Sequence, residues 1–283
     1  MGTSFESKEY FDHDLELRHK FNNDPCFPDF HFHDSFEVYY SVSGGSQYLI
    51  EDNIYELNPG DLFIINNYEI HKPLRNNREN YERLILAINP EKIKEINPSQ
   101  APLLLSCFTS RKRGEHNKIL LSDDERAQFF ALVNKIKQLK QHELGYETLL
   151  ELYFVEFLVY VNRWYRTSFS TMEPQSNHGL NPIIKSIIDY LNDNFTKEVS
   201  LDKLAEEFHL SKYYMCQLFK TVTGTTIHRY VISRRLARSK ILLHQGYSVT
   251  DTSEMAGFQN YTHFIRTFTN HFGVSPKQFN KSI

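Results

Sequence analysis

The chain has 283 residues, which at roughly 100 to 200 residues per domain suggests two domains or one large one. Hydrophobic residues make up 40%, charged residues 24% and aromatics 14%, a profile that excludes long disorder and a collagen-like chain. The net charge of -3 hides an asymmetry: from Leu180 onward 13 Lys and Arg face 8 Asp and Glu, a net of +5, and the preceding residues have 19 against 27, a net of -8.

The first ten residues carry Glu6 and Glu9 and no apolar h-region, so no targeting signal is expected. Residues 31 to 88 read as strands. Short aromatic and β-branched runs, Phe36 to Val42, Ser46 to Ile50 and Asp61 to Ile65, are separated by turn chemistry at Gly44-Gly45, Glu51-Asp52-Asn53 and Asn58-Pro59-Gly60. Such close spacing argues for an antiparallel barrel or jelly roll. His31, His33 and Glu37 have equal parity and so share one face of an unbulged strand, while Phe32, Phe36, Val38 and Tyr40 face the other way. Strand faces rich on both sides need cover on both. His71 follows the stretch PGDLFIINNYEI. Asn66 to Tyr68 reads as a turn, and Arg111 to Arg113 as a solvated loop.

From Ser122 the period becomes helical: Ser122 is an N-cap with Glu125 completing a capping box, followed by Phe129, Leu132, Val133, Ile136 and Leu139. A second helix, about Glu147 to Tyr165, is apolar on more than one face, with Leu149, Leu152, Phe154, Phe157, Leu158 and Val161. Its apolar run Phe157 to Val161 ends at Asn162 and Arg163, and no stretch approaches the roughly 18 apolar residues of a membrane span. A barrel wall covers only one such face, so pairing of this helix pair around a twofold axis, giving a homodimer, is expected. Periodicity is lost at 168–179, around Pro174, which reads as a linker between two domains, 1–167 and 180–283. Asn181-Pro182 then starts a helical region.

That region repeats itself. Ser200, Leu201, Leu204, Ala205, His209 and Leu210 align at a shift of 48 with Ser248, Val249, Thr252, Ser253, Gly257 and Phe258. At a shift of 49, Ser211, Met215, Gln217, Phe219, Gly224 and Thr226 meet Asn260, Phe264, Arg266, Phe268, Gly273 and Ser275. Each copy has a small residue where two helices approach, then a residue suited to positive φ, then a cap: helix-turn-helix spacing at about 200–223 and 248–272. The apolar stripes of the second helices leave opposite faces for a duplex: Lys212, Tyr213, Cys216, Gln217 and Lys220 in one copy, and Tyr261, Thr262, His263, Ile265, Arg266 and Thr269 in the other. Arg and Gln can read guanine and adenine bidentately, Thr and Ile can contact the thymine methyl, and Lys at a helix end holds a phosphate. The basic excess on this segment agrees with double-stranded DNA as its partner. Cys26, Cys107 and Cys216, odd in number and far apart, suggest neither disulfides nor a Cys zinc site and agree with a reducing cytoplasm.

The stretches SLDKLAEEFHLSKYYMCQLFKTVTG, RRLARSKILLHQGYSV and GFQNYTHFIRTFTNHFGVSPKQF resemble the two-motif DNA-binding domain of the AraC/XylS family of bacterial transcription regulators. The resemblance implies a long helix, about Ile227 to Gly246, that sets two recognition helices into successive major grooves. The sequence departs from the family pattern at Ser239, where an alanine is usual, at Thr252-Ser253, where Ile-Ala is usual, and at Thr269, where a lysine is usual; weaker packing and phosphate grip in the second motif are expected. Residues His31, His33, Glu37, Gly44, Pro59, Gly60, Asp61 and His71 resemble the cupin signature, the usual sensor barrel of these regulators. The fold implied is an all-β cupin barrel followed by two helices, then an all-α domain. The function implied is a DNA-binding regulator, usually an activator, and not an enzyme. His31, His33, Glu37, Tyr39 and His71 are expected to bind a small polar effector, a sugar being favoured because hydroxyls need polar partners and the sugar's apolar face stacks on rings. His31, His33, Glu37 and His71 would be the ligands if a metal were held, though no cofactor is expected. Rival readings are a metal-dependent cupin enzyme tethered to a DNA-binding domain and an effector-independent dimeric regulator.

Overall fold

The computed structural model describes residues 14–21, 33, 35–51, 53–74, 81–171 and 181–281. Strands β1 (Leu15–Lys20), β2 (Phe36–Ser41), β3 (Ser46–Ile50), β4 (Asn53–Leu57), β5 (Leu62–Ile65), β6 (His71–Leu74), β7 (Arg83–Ile88) and β8 (Lys118–Ile119) pair antiparallel throughout. They form a five-stranded sheet, ordered β1-β7-β2-β5-β8, and a three-stranded sheet, β4-β3-β6. Period-two alternation sorts the side chains. Val38 and Tyr40 of β2 join Leu62, Ile64, Leu84 and Leu86 in a cluster with Phe129, Phe154, Phe157 and Trp164 on the helical side. Tyr39, opposite Phe63 and Ile85 in register, points the other way and packs with Tyr48, Ile50 and Leu57 of the smaller sheet. Both faces of β2 are thus buried, as its sequence requires, in a cupin-like barrel.

Between β7 and β8 the chain forms α1 (Pro90–Ile96), α2 (Ala101–Leu104) and α3 (Ser106–Thr109). Helix α4 (Asp123–Gln138) starts at Ser122, where both halves of the capping box are made. Helix α5 (Tyr146–Thr171) runs past Tyr165 into the stretch expected to be linker, and its Ser168 hydroxyl accepts the Leu120 amide at 3.1 Å. The polar residues from 172 to 180 lie outside the described residues. Phe154, Phe157 and Leu158 are fully buried, each contributing about 1.5–3 kcal/mol relative to exposure.

The C-terminal region is helical: α6 (Pro182–Asn194), α7 (Leu201–Glu207), α8 (Lys212–Thr223), α9 (Ile227–His244), α10 (Val249–Met255), α11 (Tyr261–Phe272) and α12 (Pro276–Lys281). The Asn181 side chain caps α6 through the Ile183 amide. Among the described residues no helix is long and apolar enough to cross a membrane.

The outer face of the three-stranded sheet is not solvated. Leu49, Ile54 and Ile70 share one core cluster with Ile184, Phe219, Tyr230 and Leu236 of the helical region. Cations of α9 bind the barrel: fully buried Lys240 donates to the carbonyls of His33 (3.1 Å) and Asn67 (3.2 Å), and Arg234 pairs with Glu51. From the barrel, Lys72 donates to the Gly224 carbonyl at 2.7 Å. Such partners offset the cost of burying a cation.

Candidate DNA interface and effector site

The two repeats are built from the same parts. Ser200 and Ser248 cap the first helix of each motif, and Ser211 and Asn260 cap the second. The turns contain His209 at φ 53° and Gly257 at φ 89°. A Cβ on Gly257 would stand 2.5 Å from the Thr196 backbone, so this position excludes any side chain. Gly224 and Gly273 end α8 and α11 in the left-handed conformation. Met215 and Phe219 bury the inner face of α8, and Phe264 and Phe268 that of α11.

The opposite faces are open. Lys212, Tyr213, Gln217 and Lys220 are exposed and Cys216 is half-buried on α8; on α11, Tyr261, Thr262 and Arg266 are exposed and His263, Ile265 and Thr269 half-buried. Lys212 reaches Asp202 at 3.0 Å, a solvent-exposed pair of low strength that a phosphate can displace. Gln217 donates to the Tyr213 hydroxyl at 3.3 Å. Partial burial, and then the charges of Arg266, His228 and Arg235, hold the His263 imidazole below its usual range. That electropositive setting suits a polyanion. Thr252 and Ser253 are buried where α10 packs, and the Thr252 hydroxyl has no hydrogen-bond partner among the described residues.

The expected effector residues converge inside the barrel, although not on one strand. Glu37 and Tyr39 belong to β2, whereas His33 precedes it, because β2 begins where Phe36 pairs with Ile88, the last residue of β7. The expectation that His31 and His33 extend the strand therefore fails for His33, and His31 lies outside the described residues. Even so, His33 Nε2 meets Glu37 Oε2 at 3.0 Å, with His71 Nε2 at 3.7 Å from the same oxygen and the Tyr48 hydroxyl donating to Oε1 at 3.1 Å. All of these groups are buried. Burial alone would raise the Glu37 carboxyl, but the His33 hydrogen bond, the charges of His71 and His33, and Tyr48 bring it from 4.5 to about 2. Burial pushes His71 below the usual imidazole range. Burial also lifts the hydroxyls of Tyr39 and Tyr48 well above the usual range, so both keep their protons. Tyr39 donates to the Tyr81 hydroxyl at 2.8 Å, and its ring stands 4.7 Å from that of Tyr48 and 6.1 Å from Phe63.

Carbonyls only accept, so contacts from His33 Nδ1 to the Ser35 carbonyl (2.7 Å) and His71 Nδ1 to the Glu69 carbonyl (2.9 Å) place a proton on each Nδ1. Each Nε2 is then turned toward Glu37. These three ligand atoms lie within 4.8 Å of one another, and tetrahedral bonds of about 2.1 Å place neighbouring ligands about 3.4 Å apart. His33, Glu37 and His71 are thus a group that could hold a divalent ion if His33 Nε2 gave up its proton and the ligand atoms drew closer, with backbone carbonyls holding the rings.

Sequence reasoning missed the support of this cluster. Arg111 does not lie in a solvated loop: it is buried and bonded to Glu69 through both terminal nitrogens at 2.6 Å, and Arg113 Nε reaches Glu51 at 2.8 Å. Arg111 thus fixes the 66–71 segment that carries His71. A cleft of about 480 Å³ lies elsewhere, between β1, α1, α4 and α5, lined by Asp14, Glu16, Lys92, Lys137, Glu147 and Glu151 among others. No expected effector residue lines it, and its Lys92 is paired with Glu151 at 2.8 Å; the convergent buried groups make the barrel interior the candidate effector site.

Comparison with known proteins agrees with both halves. Residues 14–158 match an AraC-like ligand binding domain, and residues 204–282 match a helix-turn-helix domain. The HTH-type transcriptional activator RhaR of Escherichia coli O139:H28 is 26% identical over 251 residues, covering 88% of this chain and 86% of that protein. The uncharacterized HTH-type transcriptional regulator YdiP of Escherichia coli K12 is 32% identical over 100 residues, covering 35% of this chain and 33% of its own. Among solved structures, ToxT from Vibrio cholerae O395 is 13% identical, covering 95% of this chain and 97% of its own with a TM-score of 0.36. With a ligand-binding model matching just over half its length and a DNA-binding model following it, this chain belongs to the AraC family and is a DNA-binding transcription regulator with a ligand-binding domain.

Proposed function

We propose that the protein is a cytoplasmic, homodimeric activator of transcription that reads DNA with α8 and α11 and responds to a small polar effector, a sugar being favoured, bound inside the barrel. The carrying observation is the buried cluster of Glu37, His33, His71 and Tyr48 beside the rings of Tyr39 and Phe63. Such a set supplies paired donors and acceptors for hydroxyls and ring faces for an apolar surface. The relative named as an activator supports the direction of control. In this reading Arg266 and Gln217 read bases, Lys212 and Lys220 hold phosphates, and Tyr213, Cys216, Tyr261, Thr262, His263 and Thr269 complete the contact faces. His31 is part of the effector set by its place in the cupin pattern.

The effector acts by binding one arrangement of barrel and DNA-binding region better than another. Lys240 ties α9 to the His33 and Asn67 carbonyls, so the residues that would meet the effector adjoin those that hold the helices. A divalent ion on His33, Glu37 and His71 would polarise a bound oxygen. Metal analysis of the purified protein before and after chelation decides whether the site works with or without one.

Dimer formation is supported by α5, where Leu152 is 57% exposed and Leu149 also faces solvent beside half-buried Tyr153 and Tyr160. Leu152→Glu is expected to give monomers in sedimentation while leaving half-site binding nearly intact. A thermal-shift screen with neutral and acidic sugars tests the effector reading. Stabilisation by a sugar, with loss of the shift in Glu37→Gln, is expected; no shift from any sugar favours the effector-independent regulator.

A further inference from the structure

Arg83 opens β7 two residues before Ile85 and pairs across the sheet with Ser41, two residues from Tyr39. Period-two alternation puts its side chain on the barrel-facing side with Tyr39 and Ile85. It is only 4% exposed, and its guanidinium carbon lies 4.5 Å above the centre of the Tyr81 ring. Among the described residues no carboxylate pairs with it, and its Nη1 is buried without a hydrogen-bond partner. The other buried arginines differ: Arg111 is bonded to Glu69 and Arg234 to Glu51.

A guanidinium does not give up its charge at any physiological pH, so burial cannot neutralise it. A ring face compensates a buried cation only in part. What Arg83 lacks is an anion, and its planar fork matches a carboxylate or phosphate bidentately. The placement along the sheet completes the pattern. Glu37 pairs with Ala87, four residues from Arg83 on β7, which at about 3.4 Å per residue separates the two by about 14 Å along the strand. Along the sheet the carboxylate lies toward one end of the interior and Arg83 toward the other, with Tyr39 between them on β2 and its hydroxyl bonded to that of Tyr81, on whose ring the guanidinium stacks.

We propose that the effector is a polyhydroxylated molecule bearing an anionic group, whose hydroxyls meet Glu37, His33 and His71 and whose carboxylate or phosphate is held by Arg83. The proposal rests on the reading of the barrel interior as the effector site. A neutral sugar would leave Arg83 uncompensated, and a simple anion would leave the Glu37 end unused.

The test is calorimetric titration of the full chain with glucuronate, galacturonate and gluconate, with glucose 6-phosphate, and with glucose, galactose and sorbitol as neutral counterparts. At least one anionic probe is expected to bind about tenfold or more tighter than its neutral counterpart, and Arg83→Gln to abolish that preference, since each factor of ten is one lost charge-assisted contact of ordinary strength. Arg83→Lys should keep the preference in reduced form, and a circular dichroism spectrum and cooperative thermal unfolding like those of the parent show that both variants fold. The carboxylate and phosphate arms separate the two sources of the anion. Equal binding of neutral and anionic probes, or an acid whose affinity is untouched in Arg83→Gln, overturns the anionic assignment and leaves the barrel as the effector site. If no probe binds at millimolar concentration while the protein still binds DNA, both this proposal and the sugar reading fail.

Discussion

The two helix-turn-helix repeats share every cap and turn but differ inside. In the first, Leu204 and Ala205 fill the space between helices; in the second, Thr252 and Ser253 occupy the same places, and the Thr252 hydroxyl is buried with no partner among the described residues. The recognition faces differ in the reverse sense. The first offers two lysines and a glutamine, the second an exposed arginine with His263 in an electropositive setting. A buried, unsatisfied hydroxyl costs about 1–3 kcal/mol, so the second motif, which has the arginine proposed to read bases, is built on the weaker scaffold. The first, docked on the barrel through Lys72 and the Gly224 carbonyl, is the better anchored of the two. The proposed function therefore implies that stability and readout are divided between the repeats rather than duplicated.

The comparison breaks most severely at the turns. Gly257→Ala is expected to cost about 3–5 kcal/mol, because a positive φ and a clash with the Thr196 backbone add. His209→Gly at the matching turn should change stability by less than about 1 kcal/mol, since relief of the left-handed strain is offset by chain entropy. Chemical denaturation of both variants measures the difference, and equal effects would show that the Thr196 backbone does not restrict the second turn.

The next effect is on readout. Arg266→Ala should weaken the specific site by about 1–3 kcal/mol and relax choice at one base position, while Lys220→Ala should weaken all sequences about equally. Titrations against specific and random duplexes separate the two; equal losses on both duplexes for Arg266→Ala contradict its reading role. The smallest effect is a gain. Thr252→Val removes the unsatisfied hydroxyl at nearly constant shape and should stabilise the helical region by about 1–2 kcal/mol. A loss in thermal unfolding would show that the hydroxyl has a role the packing does not reveal.

Local chemistry was legible in advance. Ser122 with Glu125, Asn181 with Pro182, and the serine caps of the repeats act over three or four residues, so their positions follow from sequence alone. The parity of Glu37 and Tyr39 likewise survives because both lie inside β2. What failed depends on partners distant in the chain. His33 leaves the strand because β7 ends at Ile88, more than fifty residues away. Helix α5 outlasts its apolar periodicity because Ser168 is held by the Leu120 amide. Arg111 to Arg113 has the composition of a solvated loop, and only the fold brings Glu69 and Glu51 to it. Lys240 and Arg234, to which sequence reasoning gave no role, are both buried against the barrel. Arg83 carries no sequence signal at all, since a single arginine at the start of an apolar strand looks like an edge residue until the register is known.

The central claim is that both repeats act together on one DNA site. Sequencing the fragments retained by the purified full chain, followed by hydroxyl-radical footprinting on the recovered site, tests it directly. The account predicts protection at two successive major grooves on one face of the duplex, about 10 base pairs apart, with Arg266→Ala erasing protection in only one of them. Protection confined to a single groove, or retention of fragments without a shared sequence, would contradict it.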